Sequence, residues 1–268
     1  MKRLIAIVQF MTTIPIKLDT GIDKEFHKGL IYFPIVGLIL GVIYYLIGVI
    51  TNTILPNNIT AIIIVISEVV LTGGLHLDGV GDSFDGLYSY RDKDRILEIM
   101  KDSRLGTNGM VAIVIVLILK IVLTNNIVDS GELWIIAAMP VVARTMQVVA
   151  CYKTKTPRKN GMGNIFIGKI STLYMILTIL SMYAISCLLI LALGYTEGSL
   201  FSIDIIISTI LVQISVVAVL IIWTRLFVRS VYKKIDGITG DILGCISEIT
   251  EVIYLLVMTI LMSNALFN

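Results

Sequence analysis

The uncharged run GLIYFPIVGLILGVIYYLIGVI, residues 29–50, decides the class of fold. An α-helix rises about 1.5 Å per residue, so about 20 apolar residues span the hydrocarbon core of a bilayer. Similar runs recur along the chain, which is 57% hydrophobic and 15% charged and has a mean hydropathy of +0.95. The sequence therefore predicts an all-α integral membrane protein, built as a single polytopic domain over residues 1–268.

Seven apolar segments are predicted to cross the membrane as helices. A shorter apolar segment, residues 4–16, precedes them and is expected to form an interfacial or re-entrant helix that ends near Pro15. The predicted spans are residues 29–50, 59–75, 109–127, 133–152, 170–193, 203–228 and 252–267.

Lysine and arginine are confined to alternate loops. Cytoplasmic loops of membrane proteins carry an excess of these residues, so the alternation predicts a cytoplasmic N-terminus, seven crossings and an outer C-terminus. We expect a multi-pass protein of the plasma (inner cell) membrane whose polar segments face the cytoplasm. The basic segments are residues 1–28, 76–108, 153–169 and 229–234, and the segments without Lys or Arg are 51–58, 128–132 and 194–202.

The gathering of polar residues at one face is typical of an enzyme that works at that face. A transporter more often distributes polar groups along a path through the membrane. The lipid bilayer is the expected macromolecular environment, nucleic acid is not expected as a partner, and homo-oligomerisation is left open by the sequence.

An acidic motif, TGGLHLDGVGDSFDG, occupies residues 72–86 at the end of the second predicted span. Asp78, Asp82 and Asp85 are spaced i, i+4 and i+7, so on a helix they share one face. Three neighbouring carboxylates repel one another unless a cation lies between them, and their hard oxygen atoms suit Mg²⁺ or Mn²⁺. Glu68, an acid inside the predicted span, is a functional candidate because a lone charge in lipid is costly. His76 is left open as a ligand, a general base or a structural anchor.

Glycines and charges mark the other cytoplasmic segments. Gly73 and Gly74 are expected to break the second span. Residues 91–100 are expected to form an interfacial helix, residues 156–163 a basic glycine turn, and residues 236–248 a loop of acids among glycines. Lys120 is expected to extend toward the outer face. The candidate contacts to substrate in these segments and the spans beside them are Arg91, Asp102, Ser103, Arg104, Arg144, Gly161, Gly163, Asp236 and Asp241, of which the arginines would meet anionic groups.

Two families share parts of this pattern. The acidic run at residues 78–86 resembles the motif of CDP-alcohol phosphotransferases, but Ser89 and Tyr90 stand where that family has an Ala-Arg pair. EVVLTGGLHLDGVGDSFDGL, followed by RDKDRILEIMKDSRLGTNG, resembles the cobalamin synthase family more closely. FMTTIPI at residues 10–16, GMG at Gly161–Gly163 and GITGDILG at 237–244 also resemble that family, so the likeness runs from Phe10 to Glu248.

The resemblance implies a Mg²⁺-dependent membrane enzyme of the last step of coenzyme B12 assembly. Such enzymes join adenosylcobinamide-GDP to α-ribazole or its 5′-phosphate and release GMP. In this chain, the resemblance assigns metal to Asp78, Asp82 and Asp85, with Glu68 as a supporting ligand. Arg91 and Arg104 would hold phosphate and Asp236 and Asp241 would line the substrate side. Catalysis is expected from Asp82 together with a proton acceptor, either Asp85 or His76.

Two alternatives remain open on the sequence. A phospholipid-making CDP-alcohol phosphotransferase would share the metal chemistry but take a lipid acceptor. An ion-coupled transporter is suggested by Glu68 and by the break at Gly73–Gly74, and it would need no nucleotide.

Overall fold

The computed structural model describes the backbone of residues 2–18, 25–193 and 203–263, and the side chains of all of these except 203–210. Its described residues form ten α-helices, two short 3-10 helices and no strand, as the apolar runs predict. The helices are α1 Lys2–Met11, α2 Phe33–Asn52, α3 Asn57–Thr72, α4 Leu75–Leu87, α5 Lys93–Ile99, α6 Thr107–Ser130, α7 Trp134–Cys151, α8 Thr172–Leu193, α9 Ile203–Ile235 and α10 Gly240–Ser263; the 3-10 helices are Phe26–Tyr32 and Met162–Ile165.

In the described part of the chain, six helices are long and apolar enough to cross a membrane, and α3 with α4 makes a seventh, bent candidate. Helix α3 has 16 residues, about 24 Å of rise, which is slightly less than the hydrocarbon core. The predicted count of about seven and the all-α class are confirmed. The short helix predicted at the N-terminus also exists and ends at Met11, before Pro15.

Helix α10 differs most from the prediction. It begins at Gly240 and not at residue 252, so the predicted loop at 236–248 is mostly helix. The acids in this stretch had suggested a loop, but they are compensated within the protein, as described below. Residues 264–267 of the predicted seventh span lie outside the described residues.

The break between α3 and α4 occurs where the two glycines predict it. Gly73 and Gly74 have φ values of +62° and +70°, a left-handed conformation that costs residues with a Cβ roughly 1–2 kcal/mol. The chain turns by 87° at this point. Thr13, which follows α1, caps the end of α3, because its N–H donates to the carbonyl of Leu71 at 2.8 Å.

Helix α7 is the centre of the bundle. All of its residues are buried, whereas α6, α8 and α9 expose large apolar side chains such as Ile118, Leu188 and Ile222, as lipid-facing helices do. Helix α2 packs closely on α7 through Gly37 and Gly41, a small-xxx-small pair. A Cβ on Gly41 would lie 1.9 Å from the carbonyl oxygen of Ala137, so no larger residue fits this contact.

Candidate active site

The acidic motif on α4 meets the start of α10. A Cβ on Gly79 would lie 2.6 Å from the carbonyl oxygen of Asp241, and one on Gly244 would lie 3.2 Å from Cα of His76. The two glycines therefore permit a contact between helix backbones, which brings Asp241 beside the aspartates of α4. Two motifs that are more than 150 residues apart in sequence form one site.

A cavity of about 240 Å³ opens at this contact. Its wall is built by the C-terminal part of α1, the starts of α2, α4 and α10, the end of α7 and the 156–166 segment. The predicted site residues that line it are His76, Asp78, Gly161, Gly163 and Asp241. Gly163 packs against the start of α10, since a Cβ there would lie 2.8 Å from the backbone nitrogen of Gly240.

Asp82 lies one turn beyond Asp78 on α4 and is half-buried. Its carboxylate interacts electrostatically with three other acids, Asp78, Asp85 and Asp241. The spacing of the motif predicts the repulsion among Asp78, Asp82 and Asp85, and the fold adds Asp241 to them. The guanidinium group of Arg158 offsets part of this negative charge.

Arg158 is a site residue that the sequence did not single out. Its Nη2 forms a salt bridge of 2.9 Å with Asp241 Oδ2 and donates to the carbonyl of Met100 at 3.1 Å. The signal was the basic glycine turn at 156–163, but several cations occur in that segment. Only the fold shows which of them reaches the aspartates.

Asp85 is held by the N-terminus of α6. Its Oδ2 accepts from the N–H of Gly106 at 2.7 Å, and its Oδ1 accepts from the N–H of Gly109 at 2.8 Å. A Cβ on either glycine would lie 2.5 Å from a carboxylate oxygen, so the carboxylate of Asp85 fits here only because both residues are glycines. Both oxygens are therefore occupied in stabilising a helix end, and a catalytic or metal role of Asp85 stays a prediction.

Glu68 does not join the aspartates of α4. It joins Glu248 and Glu251 of α10, and the oxygen atoms of these three buried glutamates lie within 4.8 Å of one another. Among the described residues, this is the one group of acids whose spacing could hold a metal ion. The ammonium group of Lys120 contacts all three carboxylates, with Glu248 Oε2 at 2.6 Å.

Lys120 and Arg144 are both part of this buried charge cluster. The side chain of Lys120 is 2% exposed, so the expectation that it extends to the outer face is wrong. Arg144 donates to Ser247 Oγ and lies 3.3 Å from Glu251 Oε1, and it is not among the residues that line the cavity, so its contact with substrate stays a prediction. Charges at this depth persist when they are paired, and here two cations compensate two of the three carboxylate charges.

The remaining predicted substrate residues lie outside the lining of the cavity. Arg104 is paired with Asp102 through Nε and Nη2, which lowers the pKa of Asp102 to about 2, and the side chain of Arg104 is 87% exposed. Asp236 pairs with Lys93 at 2.8 Å, and this ion pair lowers the pKa of Asp236. Arg91 and Ser103 are exposed.

A bundle of apolar helices with an acidic cavity at its basic end defines a polytopic membrane enzyme. The family model described as cobalamin-5-phosphate synthase matches residues 3–259, and the chain belongs to this family. This confirms the resemblance that the motifs carry.

Curated relatives match the chain over nearly its whole length. A protein of Clostridioides difficile strain 630 is 50% identical over 96% of both chains, and one of Alkaliphilus metalliredigens strain QYMF is 42% identical over all of this chain and 98% of its own. A protein of Fusobacterium nucleatum is 36% identical over 95% of this chain and 96% of its own. All three are named adenosylcobinamide-GDP ribazoletransferase. No solved structure matches the chain.

Proposed function

We propose that this protein transfers adenosylcobinamide phosphate from adenosylcobinamide-GDP to α-ribazole or its 5′-phosphate and releases GMP. This is the final step of nucleotide-loop assembly in adenosylcobalamin. Membership of the family and the names of the relatives support the substrates. The observation that carries the chemistry is the meeting of the α4 aspartates with Asp241 and Arg158 at one cavity.

The reaction exchanges one phosphoester bond for another. A hydroxyl oxygen of the ribose bonds to the phosphorus nearer the cobinamide, the bond from that phosphorus to the bridging oxygen breaks, and GMP leaves with the bridging oxygen. The hydroxyl proton must pass to an acceptor. Rate enhancement then depends on alignment of the hydroxyl and on neutralisation of the diphosphate charge.

In this proposal Asp78, Asp82 and Asp241 would hold Mg²⁺, with Mn²⁺ as a substitute. Their oxygen atoms do not meet the 4.8 Å spacing of the buried glutamates, so the ion would have to draw them together. Their oxygen atoms are the ligands that this ion prefers, and their mutual repulsion is offset by one arginine only in part. The bound ion would neutralise diphosphate oxygens at the cavity. Our proposal gives Glu68 no ligand role there, since its carboxylate is paired with Lys120 in the buried charge cluster.

Arg158 would bind a phosphate group of the nucleotide. A guanidinium group pairs with phosphate oxygens through two parallel hydrogen bonds. Its present partner, Asp241, would then be released to the metal. Arg158 therefore replaces Arg91 and Arg104 as the principal phosphate contact in our proposal.

His76 is our candidate for the proton acceptor. It lines the cavity, and its Nδ1 has no hydrogen-bond partner in the described part of the chain. Asp85, the other candidate, already accepts two backbone hydrogen bonds. We place this site at the cytoplasmic face of the plasma membrane, with the N-terminus on the same side, because the basic segments lie at this end of the helices.

The experiment is a reconstituted reaction of the purified protein in detergent. With Mg²⁺, adenosylcobinamide-GDP and α-ribazole, we expect adenosylcobalamin and an equal amount of GMP, measured by chromatography. Chelation by EDTA should stop the reaction, and Mn²⁺ should restore it. Absence of both products at saturating Mg²⁺ would reject the proposal.

The alternatives have separate signatures. A CDP-alcohol phosphotransferase would release CMP with a lipid acceptor, and a transporter would move solute into liposomes without nucleotide. The family match over residues 3–259 argues against both. Glu68, the buried acid that had suggested a transporter, also has a cationic partner in Lys120.

A further inference from the structure

The wall of the cavity has two chemically different parts. Asp78, Arg158 and Asp241 form a charged part, and the rest combines aromatic and other apolar side chains with uncharged polar ones. Three aromatic rings line the apolar part, those of Phe10, Phe33 and Phe166. The ring of Phe166 lies 5.8 Å from that of Phe10 and 5.7 Å from that of Phe33, centroid to centroid, so the three form one aromatic surface. Phe10 is its most exposed ring, whereas Phe33 and Phe166 are buried and contribute little accessible area.

The size of the cavity limits what it can hold. Its volume of about 240 Å³ is below the range of about 300–1,000 Å³ typical of sites that enclose a whole drug-sized ligand. The cavity is therefore of a size to enclose one part of a substrate and not the whole of adenosylcobinamide-GDP.

Gln147 of α7 adds a polar group to this wall. Its Nε2 donates to the carbonyl of Leu243 at 3.1 Å, while its Oε1 is buried and has no partner among the described residues. A buried acceptor left without a donor is destabilising, and folded proteins retain few of them. A hydroxyl group of a bound ligand would supply the missing donor.

We propose that this cavity is the α-ribazole subsite: the aromatic surface of Phe10, Phe33 and Phe166 holds the base, and Gln147 accepts a hydrogen bond from the ribose. This inference deepens the proposed function and rests on it for the identity of the ligand. The ribose then lies between the aromatic part of the wall and the charged part. Its reacting hydroxyl is directed to the side of His76 and Asp78, where the diphosphate would be held.

The chemistry of the wall favours α-ribazole over the guanine of the other substrate. The base of α-ribazole is a methylated benzimidazole with no exocyclic polar group, so an apolar aromatic surface satisfies it. Guanine carries several donors and acceptors on its edge, and each would lose a hydrogen bond to water against phenylalanine rings. The guanine is therefore assigned outside this cavity.

The test compares two variants of the cavity with two matched controls in the full-length protein in detergent. Gln147→Leu removes the amide from the wall, and Phe10→Leu removes a ring that is only partly buried. Gln213→Leu and Phe227→Leu make the same changes on α9, away from the cavity. The measurements are the Kd of α-ribazole by calorimetry, the Kd of GMP, and the KM of each substrate.

We expect Gln147→Leu to weaken binding of α-ribazole about tenfold, the effect of one hydrogen bond. Phe10→Leu should also weaken it, and the control variants should not. The KM of α-ribazole should rise while the KM of adenosylcobinamide-GDP and the Kd of GMP stay within twofold. If these residues only support folding, their substitution would raise the KM values of both substrates or lower the melting temperature, without a selective effect on α-ribazole.

The inference is overturned if both cavity variants bind α-ribazole as the wild type does. It is also overturned if they lose affinity for GMP and keep their affinity for α-ribazole. Failure of the proposed function has a different signature. In that case no variant, nor the wild type, releases GMP from adenosylcobinamide-GDP, whether or not α-ribazole binds. Because calorimetry needs no turnover, binding that is lost in Gln147→Leu would support the subsite even then.

Discussion

Three aspartates on one helix face, each a few residues from the next, occupy three different environments. Asp78 is exposed at the cavity, Asp82 is half-buried among other acids, and Asp85 accepts two backbone hydrogen bonds from the start of α6. The spacing in the sequence predicts their shared face. It does not predict that the glycines of a neighbouring helix capture one of them, because that depends on how α4 and α6 pack.

Substitution of Asp82 should separate activity from stability. Asp82→Asn removes a charge that no strong partner compensates, so we expect turnover to fall about 10²-fold or more while the melting temperature stays near that of the wild type. Asp129→Asn, a change at the opposite end of α6, is the matched control and should retain activity. Near-normal turnover of Asp82→Asn at saturating Mg²⁺ would contradict the metal assignment.

Asp85→Asn should behave differently. The amide NH₂ group would face a backbone N–H, so one hydrogen bond is replaced by repulsion, and we expect a loss of about 1–3 kcal/mol of stability. Thermal unfolding in detergent, followed by tryptophan fluorescence, measures this loss beside Asp82→Asn. Equal melting temperatures for the two variants would show that the contact of Asp85 with α6 does not contribute to stability.

At the scale of helices, close contacts and buried charges determine which elements meet. Gly37 and Gly41 let α2 touch the backbone of α7, and Gly79 and Gly244 do the same for α4 and α10. The cluster around Lys120 joins α3, α6 and α10, and Arg144 adds α7. Inside lipid, backbone packing and paired charges replace much of the hydrophobic drive between helices.

The contact of α2 with α7 predicts a difference between two glycines of the same helix. Gly41→Ala should destabilise the protein by about 1–3 kcal/mol, because its Cβ would collide with the backbone of Ala137. Gly48→Ala should be mild, since its Cβ would meet only flexible side chains, Ile64 at 3.1 Å and Leu133 at 3.5 Å. Melting temperatures of the two variants in the same detergent test this, and a reversed order would refute it.

Removal of the central cation should be more severe. Lys120→Met leaves three buried glutamates with Arg144 as their remaining cation, and we expect a loss of about 3–5 kcal/mol. Lys101→Met, on an exposed loop, is the control. Addition of Glu68→Gln to the Lys120→Met variant should restore part of the stability, and an unchanged melting temperature in Lys120→Met would show that the cluster does not hold the helices together.

The whole molecule has one chemically rich end. The basic segments and the cavity lie at the same end of the helices. Located at this end are the starts of α2, α4, α6, α8 and α10 and the ends of α7 and α9. On the positive-inside rule, we propose that this end faces the cytoplasm. Substrates with negative charge would therefore meet a basic surface before they reach the acidic cavity.

Cysteine labelling in whole cells tests this orientation. Ser103→Cys at the basic end should react with a membrane-impermeant maleimide only after permeabilisation, whereas Ser130→Cys at the other end should react in intact cells. The native Cys151 and Cys245 are buried, and a variant without added cysteine gives the background from Cys187. The reverse labelling pattern would place the site outside the cell.

The sequence by itself determined the helical membrane class, the approximate number of spans, the break at Gly73–Gly74 and the family. Each of these depends on residues that are close together in the sequence: the composition and length of an apolar run, or the residues of one motif. Only the tertiary structure decided the partners of the charged residues. Lys120 and Arg144 were assigned elsewhere, and Arg158 was not distinguished from its neighbours, because an ion pair between helices depends on packing between residues that are distant in sequence.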